Sequence, residues 1–398
     1  MLFNVTDAVS SAPNHGITRT ERQLARALAV QPEVEFVAHA HGRLVRVDRG
    51  EAIARMSVTN DELTPTVERF GVDPPVTRTI SLASSVRARV RGLRARRTVG
   101  ALPLDGAPHV VPGDVLVSVG LDWVHGILDE IERIVYGDDA RYVGFCYDLI
   151  PIDHPEWLFP ADPVGFQRHL ERMTRVASSV LCISESTRHD FLRHFADFGA
   201  DNVRVLPLGA DAAVTTRPEH DRFAASLFDG EPFAVYCATI DRRKNHQLLY
   251  RVAQQMQRRG DAGNFVFVGR TGSGVDDLID CLRHDAAVRG RFAHVMDCDD
   301  QHLAAIYRRA RFAVYPSLYE GWGLGVTEAL AHGTPCIVAT GSSLGEAGLG
   351  VCPELHPLRT AEWTEHVTAY FDAPPVLPTL DIPTWAGAAE ALLELVRS

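Results

Sequence analysis

The stretch Phe312 to Val338, F-A-V-Y-P-S-L-Y-E-G-W-G-L-G-V-T-E-A-L-A-H-G-T-P-C-I-V, restricts the fold more than any other part of the chain. It reads as strand, glycine-rich loop, helix, glycine stop and second strand. Gly321, Gly323 and Gly325 remove side chains from the loop. Backbone N–H groups can therefore approach an anion at the N-terminus of the helix expected to start near Val326. Glu320 and Glu328 cannot bind that anion. Carboxylates in this company accept hydrogen bonds from hydroxyls, which a sugar and a ribose supply. The outline is that of a nucleotide-sugar site.

The same alternation runs along the chain. In the first half, strands are expected at Leu2 to Val5, Val34 to Ala38, Asp114 to Val119, Tyr142 to Cys146, Val180 to Ser184 and Val203 to Leu206. Thr18-x-x-Glu21 reads as a capping box opening a helix whose apolar face includes Leu24 and Leu28. Residues 43–110 break the rhythm and receive no assignment. In the second half, strands at Phe233 to Ile240, Phe265 to Val268, Phe292 to Met296, Phe312 to Tyr315 and Pro335 to Ala339 alternate with helices. The helices are expected near Gln247 to Arg258, Val275 to Leu282, Gln301 to Ala310 and Val326 to Ala331, then at Glu362 to Phe371 and Thr384 to Val396. Alternation of this kind implies parallel sheets covered on both faces. The expected fold is α/β, with two Rossmann-like domains facing each other across a cleft and ligand at the carboxyl ends of the strands. Their boundaries are 1–207 on the acceptor side and 208–375 on the nucleotide-sugar side, with a last helix in 376–398 packing back on the first domain.

A net charge of −11 argues against general affinity for nucleic acid. Seven cysteines, none in C-x-x-C spacing, read as reduced core residues of a cytosolic protein. No apolar stretch reaches the ~18 residues that span a bilayer. Against this acidic background, six arginines fall between Arg87 and Arg97. They read equally well as a contact with an anionic membrane or lipid-diphosphate acceptor and as a solvated loop. The location expected is cytoplasmic, with peripheral contact at the inner membrane face on the first of these readings.

Of forty basic residues, Lys244 alone is lysine. It sits in A-T-I-D-R-R-K-N, where the strand ending at Ile240 gives way to a helix, as a compact charge suited to phosphate. Of the adjacent Arg242 and Arg243, only one can face the same site, and Arg243 is favoured.

Together these motifs resemble a known family. E-G-W-G-L-G-V-T-E has E-x7-E spacing from Glu320 to Glu328, R-R-K-N follows a strand, and Gly16-Ile17 precedes the first long helix. The chain thus looks like glycosyltransferase family 4. In the first half, Y-D-L-I-P-I-D-H-P-E and C-I-S-E-S-T-R are similar to members that build bacterial surface polysaccharides, many of them mannosyltransferases. The resemblance implies the GT-B fold and transfer of a hexose, mannose first, from a nucleoside-diphosphate sugar to a glycan or lipid-linked acceptor. It implies retention of configuration, no metal and no cofactor, with GDP-mannose the first donor to consider. Arg243 and Lys244 would meet charge on the leaving diphosphate, and Glu320 would orient the donor sugar. Gly16, Thr239, Gly321, Gly323, Leu324, Gly325 and Glu328 would bind the donor, Glu328 through the ribose. Asp148 and His154 would lie on the acceptor side.

The chain departs from the family pattern in three places. Tyr147 stands where many relatives have histidine, Thr239 where many have arginine, and Gly325 where proline is frequent. Other nucleotide-sugar enzymes of this fold, such as epimerases, and a non-catalytic binding protein therefore stay open. Asp297-Cys298-Asp299 imitates a metal-binding D-x-D, but its place between strand and helix favours Asp299 or Asp300 as a helix N-cap.

Overall fold

The computed structural model describes residues 1–10, 16–56, 65–72, 106–158, 162–210 and 216–397. They form two units. The first draws on 1–59, 81–209 and 383–398, the second on 60–80 and 210–382. The arginine-rich segment Arg87 to Arg97 lies outside the described residues.

Strands are numbered in chain order. The first unit contains β1 (Leu2–Asn4), β2 (Glu35–Ala40), β3 (Arg43–Arg46), β5 (Val115–Ser118), β6 (Arg141–Cys146), β7 (Ser179–Cys182) and β8 (Val203–Val205), while β4 (Thr66–Arg69) belongs to the second. The sheet order is β3-β2-β1-β5-β6-β7-β8. All pairs are parallel except β2–β3. That hairpin turns on His41 and Gly42, both with positive φ (52° and 78°). A turn with left-handed residues at both centres matches the twist of its strands. The central strands are apolar on both faces, as parallel strands covered by helices must be, with Phe3, Val37, Leu116, Val117, Tyr142 and Val180 buried.

The C-terminal helix Trp385–Arg397 returns to this unit, burying Trp385, Ala388, Ala389, Leu392, Leu393 and Val396. It packs on the helix Gly16–Leu28. Its entry requires Gly209, because a Cβ there would lie 2.3 Å from the Trp385 nitrogen. Arg141 fastens the far end by donating to the Val396 carbonyl at 3.0 Å.

The second unit adds β9 (Phe233–Cys237), β10 (Asn264–Val268), β11 (Phe292–Met296), β12 (Phe312–Tyr315), β13 (Cys336–Ala339) and β14 (Glu354–Leu355). Its order is β14-β13-β12-β9-β10-β11-β4. Only β4 runs antiparallel, on β11. This strand comes from the unassigned 43–110 region, and its unit membership differs from the 1–207 boundary expected. Two anchors explain it. The Arg69 guanidinium donates to the carbonyls of Leu227 (2.9 Å) and Gly290 (3.1 Å) and covers the Phe228 ring at 4.3 Å, and Arg283 grips Glu68 with two bonds (2.7 and 3.2 Å).

Two local expectations fail. The helix expected to open at the Thr18 capping box starts at Gly16, so Thr18 and Glu21 sit inside it, fully buried, rather than at its N-cap. The helix expected from Val326 spans Leu324–Ala331. Glu328 then falls in its second turn, where the helix dipole gives an acid little. The seven cysteines form no disulfide; Cys146, Cys182 and Cys336 are buried as expected, whereas Cys281 is exposed.

Candidate functional site

The site in the second unit is built by two loops leaving adjacent strands. After β9, residues 238–245 turn sharply. The Asp241 carboxylate accepts the Lys244 N–H at 2.9 Å, and Asn245 takes a left-handed conformation (φ 56°). Asparagine tolerates that region because its short amide bonds locally. Here the amide reaches the carbonyls of Pro316 (3.0 Å) and Pro357 (2.9 Å). The turn thereby points Arg243 and Lys244 toward the loop after β12, while Arg242 is exposed.

On that second loop, Glu320 receives both cations. Arg243 Nη1 donates to Glu320 Oε2 at 2.6 Å and to the Tyr319 carbonyl at 2.8 Å. Lys244 Nζ donates to Glu320 Oε1 at 2.5 Å, and the Ser317 hydroxyl donates to the same oxygen at 2.7 Å. Tyr236 completes the network. Its hydroxyl lies 2.8 Å from both the Lys244 carbonyl and Ser317 Oγ. Side-chain exposure is 16%, 17% and 14% for Arg243, Lys244 and Glu320. These charges are thus largely withdrawn from water. Burial alone would raise the Glu320 pKa, but Arg243 and Lys244 outweigh it and bring it down to about 2. Burial, then the neighbouring Arg243, lowers the Lys244 pKa, against the pull of Glu320.

Gly323 follows at φ 128°, with Leu344 and Ala347 within 3.0 Å of where a Cβ would stand. A side chain fits neither the conformation nor the space. The loop is tied from behind by the Ser343 hydroxyl, which bridges the carbonyls of Glu320 (2.8 Å) and Trp322 (2.6 Å). The N-cap of the helix Leu324–Ala331 is Gly323, which has no side chain of its own to cap with. The first-turn amides at Leu324 and Gly325 carry the positive end of the helix dipole, a few residues along the same loop from Glu320. Burial chiefly raises the pKa values of Tyr307 and Tyr315, and Glu328, half-buried on this helix, is near enough to add to both shifts.

The other sequence candidates occupy distinct places. Gly321 is buried in the same loop. Thr239 packs against the Gly269–Gly272 turn, its methyl 3.1 Å from a Cβ at Gly272. Gly16 is the exposed first residue of its helix in the first unit. There Asp148 accepts the Ile150 N–H (3.1 Å), and His154 stacks on Trp157 with centroids 3.8 Å apart. Tyr147 is buried, its hydroxyl donating to the Val119 carbonyl at 2.6 Å. Sequence reasoning missed Tyr236, Asp241, Asn245, Ser317 and Ser343. Only Asn245, following R-R-K at a strand-to-helix turn, carried a readable signal.

Asp299 caps the helix Asp300–Arg309 by accepting the His302 N–H at 2.7 Å. Asp299, His302 and His220 bring ligand-type atoms within 4.8 Å of one another. Hydrogen bonds engage all three side chains: Asp299 Oδ1 lies 2.8 Å from His302 Nδ1, and His220 Nδ1 accepts the Arg217 N–H at 3.1 Å.

The first unit gathers buried acids at the carboxyl ends of β1 and β5. Asp7 accepts the Leu121 N–H (2.7 Å) and pairs with His125 Nε2 (2.9 Å). The Asp122 carboxylate accepts from Ser118 (2.6 Å) and Tyr142 (3.3 Å), and burial pushes its pKa to about 7. Burial, then Asp7, raises that of Glu21.

Residues 218–347 match the family described as Glycosyl transferases group 1. That segment holds every element of the Arg243, Lys244 and Glu320 network. The serotype-specific mannosyltransferase WbdA of Escherichia coli is 27% identical over 241 residues, covering 56% of this chain and 29% of that protein. D-inositol 3-phosphate glycosyltransferase of Nocardia farcinica (strain IFM 10152) is 31% identical over 222 residues, 50% of this chain and 48% of that one. The chain therefore spans less than half the length of either relative. Among solved structures, Anabaena Alr3699/HepE in complex with UDP and glucose superposes with a TM-score of 0.61 at 14% identity, covering 100% of this chain and 96% of that one. The two-unit α/β architecture is that of the GT-B fold. Among the described residues, no helix is long and apolar enough to cross a membrane.

Proposed function

We propose that the protein is a nucleotide-sugar-dependent hexosyltransferase of glycosyltransferase family 4, acting with retention on a glycan or lipid-linked acceptor in surface polysaccharide synthesis. One observation carries the reading: Arg243 and Lys244 converge on Glu320 of a glycine loop that leads into a helix whose N-cap is Gly323, within the matched segment. Breaking the anomeric bond places negative charge on the leaving diphosphate, and fixed cations and amides stabilise it without reorganising. Losing one such donor costs ~3 kcal/mol, roughly a hundredfold in rate. Glu328 would hold the ribose and Glu320 the sugar hydroxyls. Mannose from GDP-mannose is the first donor to test, supported by the mannosyltransferase relatives. UDP-glucose is the second, since the Anabaena neighbour binds it.

Thermal shift across a panel of nucleotide sugars tests the reading. The true donor at 100 times its dissociation constant stabilises by ~2.7 kcal/mol. Lys244→Met removes most of that gain and of the transfer rate. Unchanged affinity and rate in Lys244→Met would show that the leaving-group site lies elsewhere.

A further inference from the structure

We infer that Glu320 is an intramolecular counter-anion, one that holds Arg243 and Lys244 until a diphosphate takes its place and so limits how tightly the diphosphate product is retained. The inference rests on reading the site as one for a nucleoside-diphosphate sugar. It goes further by giving Glu320 a task toward the leaving group as well as toward the sugar.

Three donors converge on two oxygens: Arg243 at 2.6 Å on Oε2, with Lys244 at 2.5 Å and Ser317 at 2.7 Å on Oε1. The cations that would meet a diphosphate are thus already engaged by a carboxylate of the same chain. With that carboxylate in place the trio carries one net positive charge. Without it, two cations would stand side by side, each with less than a fifth of its side chain exposed. Such a pair binds any available anion tightly, because little water remains to compete. A transferase must release its diphosphate after every turnover, and a resident carboxylate that re-pairs with the cations drives that release.

The exchange also couples the two halves of the donor. In the paired state both Glu320 oxygens are engaged as acceptors. Once the diphosphate draws Arg243 and Lys244 away, the same oxygens can accept hydrogen bonds from sugar hydroxyls. Ser343, which takes no part in the exchange, bonds the carbonyls of Glu320 and Trp322. The loop backbone therefore stays fixed while the side chains trade partners. With the Glu320 pKa near 2, protonation does not operate the exchange at ordinary pH, and the ligand's own charge must do so.

The test is calorimetric titration with inorganic pyrophosphate at fixed low salt, comparing wild type with Glu320→Gln. A unit charge this close shifts a neighbouring equilibrium by about one to three powers of ten. Glu320→Gln should therefore bind pyrophosphate at least tenfold more tightly and show stronger product inhibition by the nucleoside diphosphate. Glu320→Asp, which keeps the charge but withdraws it by one methylene, should fall between. Pyrophosphate should raise the melting temperature of Glu320→Gln more than that of wild type, a readout that a purely structural carboxylate would not give. Equal or weaker pyrophosphate binding by Glu320→Gln overturns the counter-anion role, whatever the outcome of the nucleotide-sugar panel. Nucleotide sugars failing to stabilise wild type would instead overturn the functional reading.

Discussion

Asp122→Asn should stabilise the protein, and more so at pH 8 than at pH 5. The wild-type carboxyl is buried, 5% exposed, and its pKa is moved from 3.8 to about 7. The proton is bound more tightly in the folded chain than in the unfolded one. Between these two pKa values the native state holds more protons, so stability falls as pH rises, and above about 7 the loss is complete. At 1.36 kcal/mol per unit, the shift corresponds to about 4 kcal/mol of destabilisation by the ionised form. The neighbouring charges are Asp7 and Glu21 from adjoining helices and His125 on its own helix, paired with Asp7, with His39 beyond it on β2. The substituted amide keeps an oxygen for the Ser118 hydroxyl, so the fold should tolerate the change. Even a quarter of the ceiling, about 1 kcal/mol, moves a melting temperature by ~2–4 °C in a unit of this size. Melting curves of both proteins between pH 5 and pH 8 are the assay, and the gap between them should open as pH rises. A gap that is constant, or that closes toward pH 8, refutes the reasoning, because it would mean that the carboxylate is well solvated or paired.

Two further outcomes follow from local geometry. Gly209→Ala should destabilise the first unit by ~1–3 kcal/mol, the usual range for overpacking, because its Cβ overlaps the backbone at Thr384 and Trp385. Faster proteolysis between 373 and 384, together with a lower melting temperature, checks this, and an unchanged melt rejects it. Acid should remove the contribution of Glu320. Its pKa is depressed from 4.5 to about 2, so the stability it supplies is complete above 4.5 and disappears as pH falls through 2, by about 3 kcal/mol in total. Wild type should therefore lose more stability than Glu320→Gln between pH 5 and pH 2, and parallel losses would contradict the pairing.

The fold was legible where hydrophobic period and punctuation agreed. The strand at Phe312–Tyr315 is reproduced residue for residue, and that at Phe292–Met296 likewise, since the first is an apolar run, the second is apolar but for His294, and each is closed by a turn residue. The region 43–110 was opaque for two reasons. The β2–β3 turn uses His41 where asparagine or aspartate would have signalled a hairpin. Strand β4 is four residues long, pairs with a strand more than two hundred positions away, and is held by Arg69 and Arg283. No local pattern encodes such a partner. The Thr18 capping box misled because threonine and glutamate three apart fit a helix interior as well as its start. Burial, which the sequence does not display, decided between them.

At the candidate site, residue types were readable but their mutual bonding was not. Two cations and an acid in separate motifs, 76 and 77 positions apart, suggest three independent contacts to a ligand. The fold instead gives them to one another first. A buried cation pair needs an anion in the free protein as well as in the complex. A chain that places Arg243 and Lys244 at a water-poor loop must therefore supply a counter-charge before any ligand arrives. That requirement selects an acid on the facing loop whatever it later does for the sugar. On the proposed function, affinity for the diphosphate is then set by a difference, the bonds gained less the bonds to Glu320 given up. A substitution at position 320 should for that reason move donor binding and product release in opposite directions, whereas a residue that only gripped the sugar would leave product release untouched.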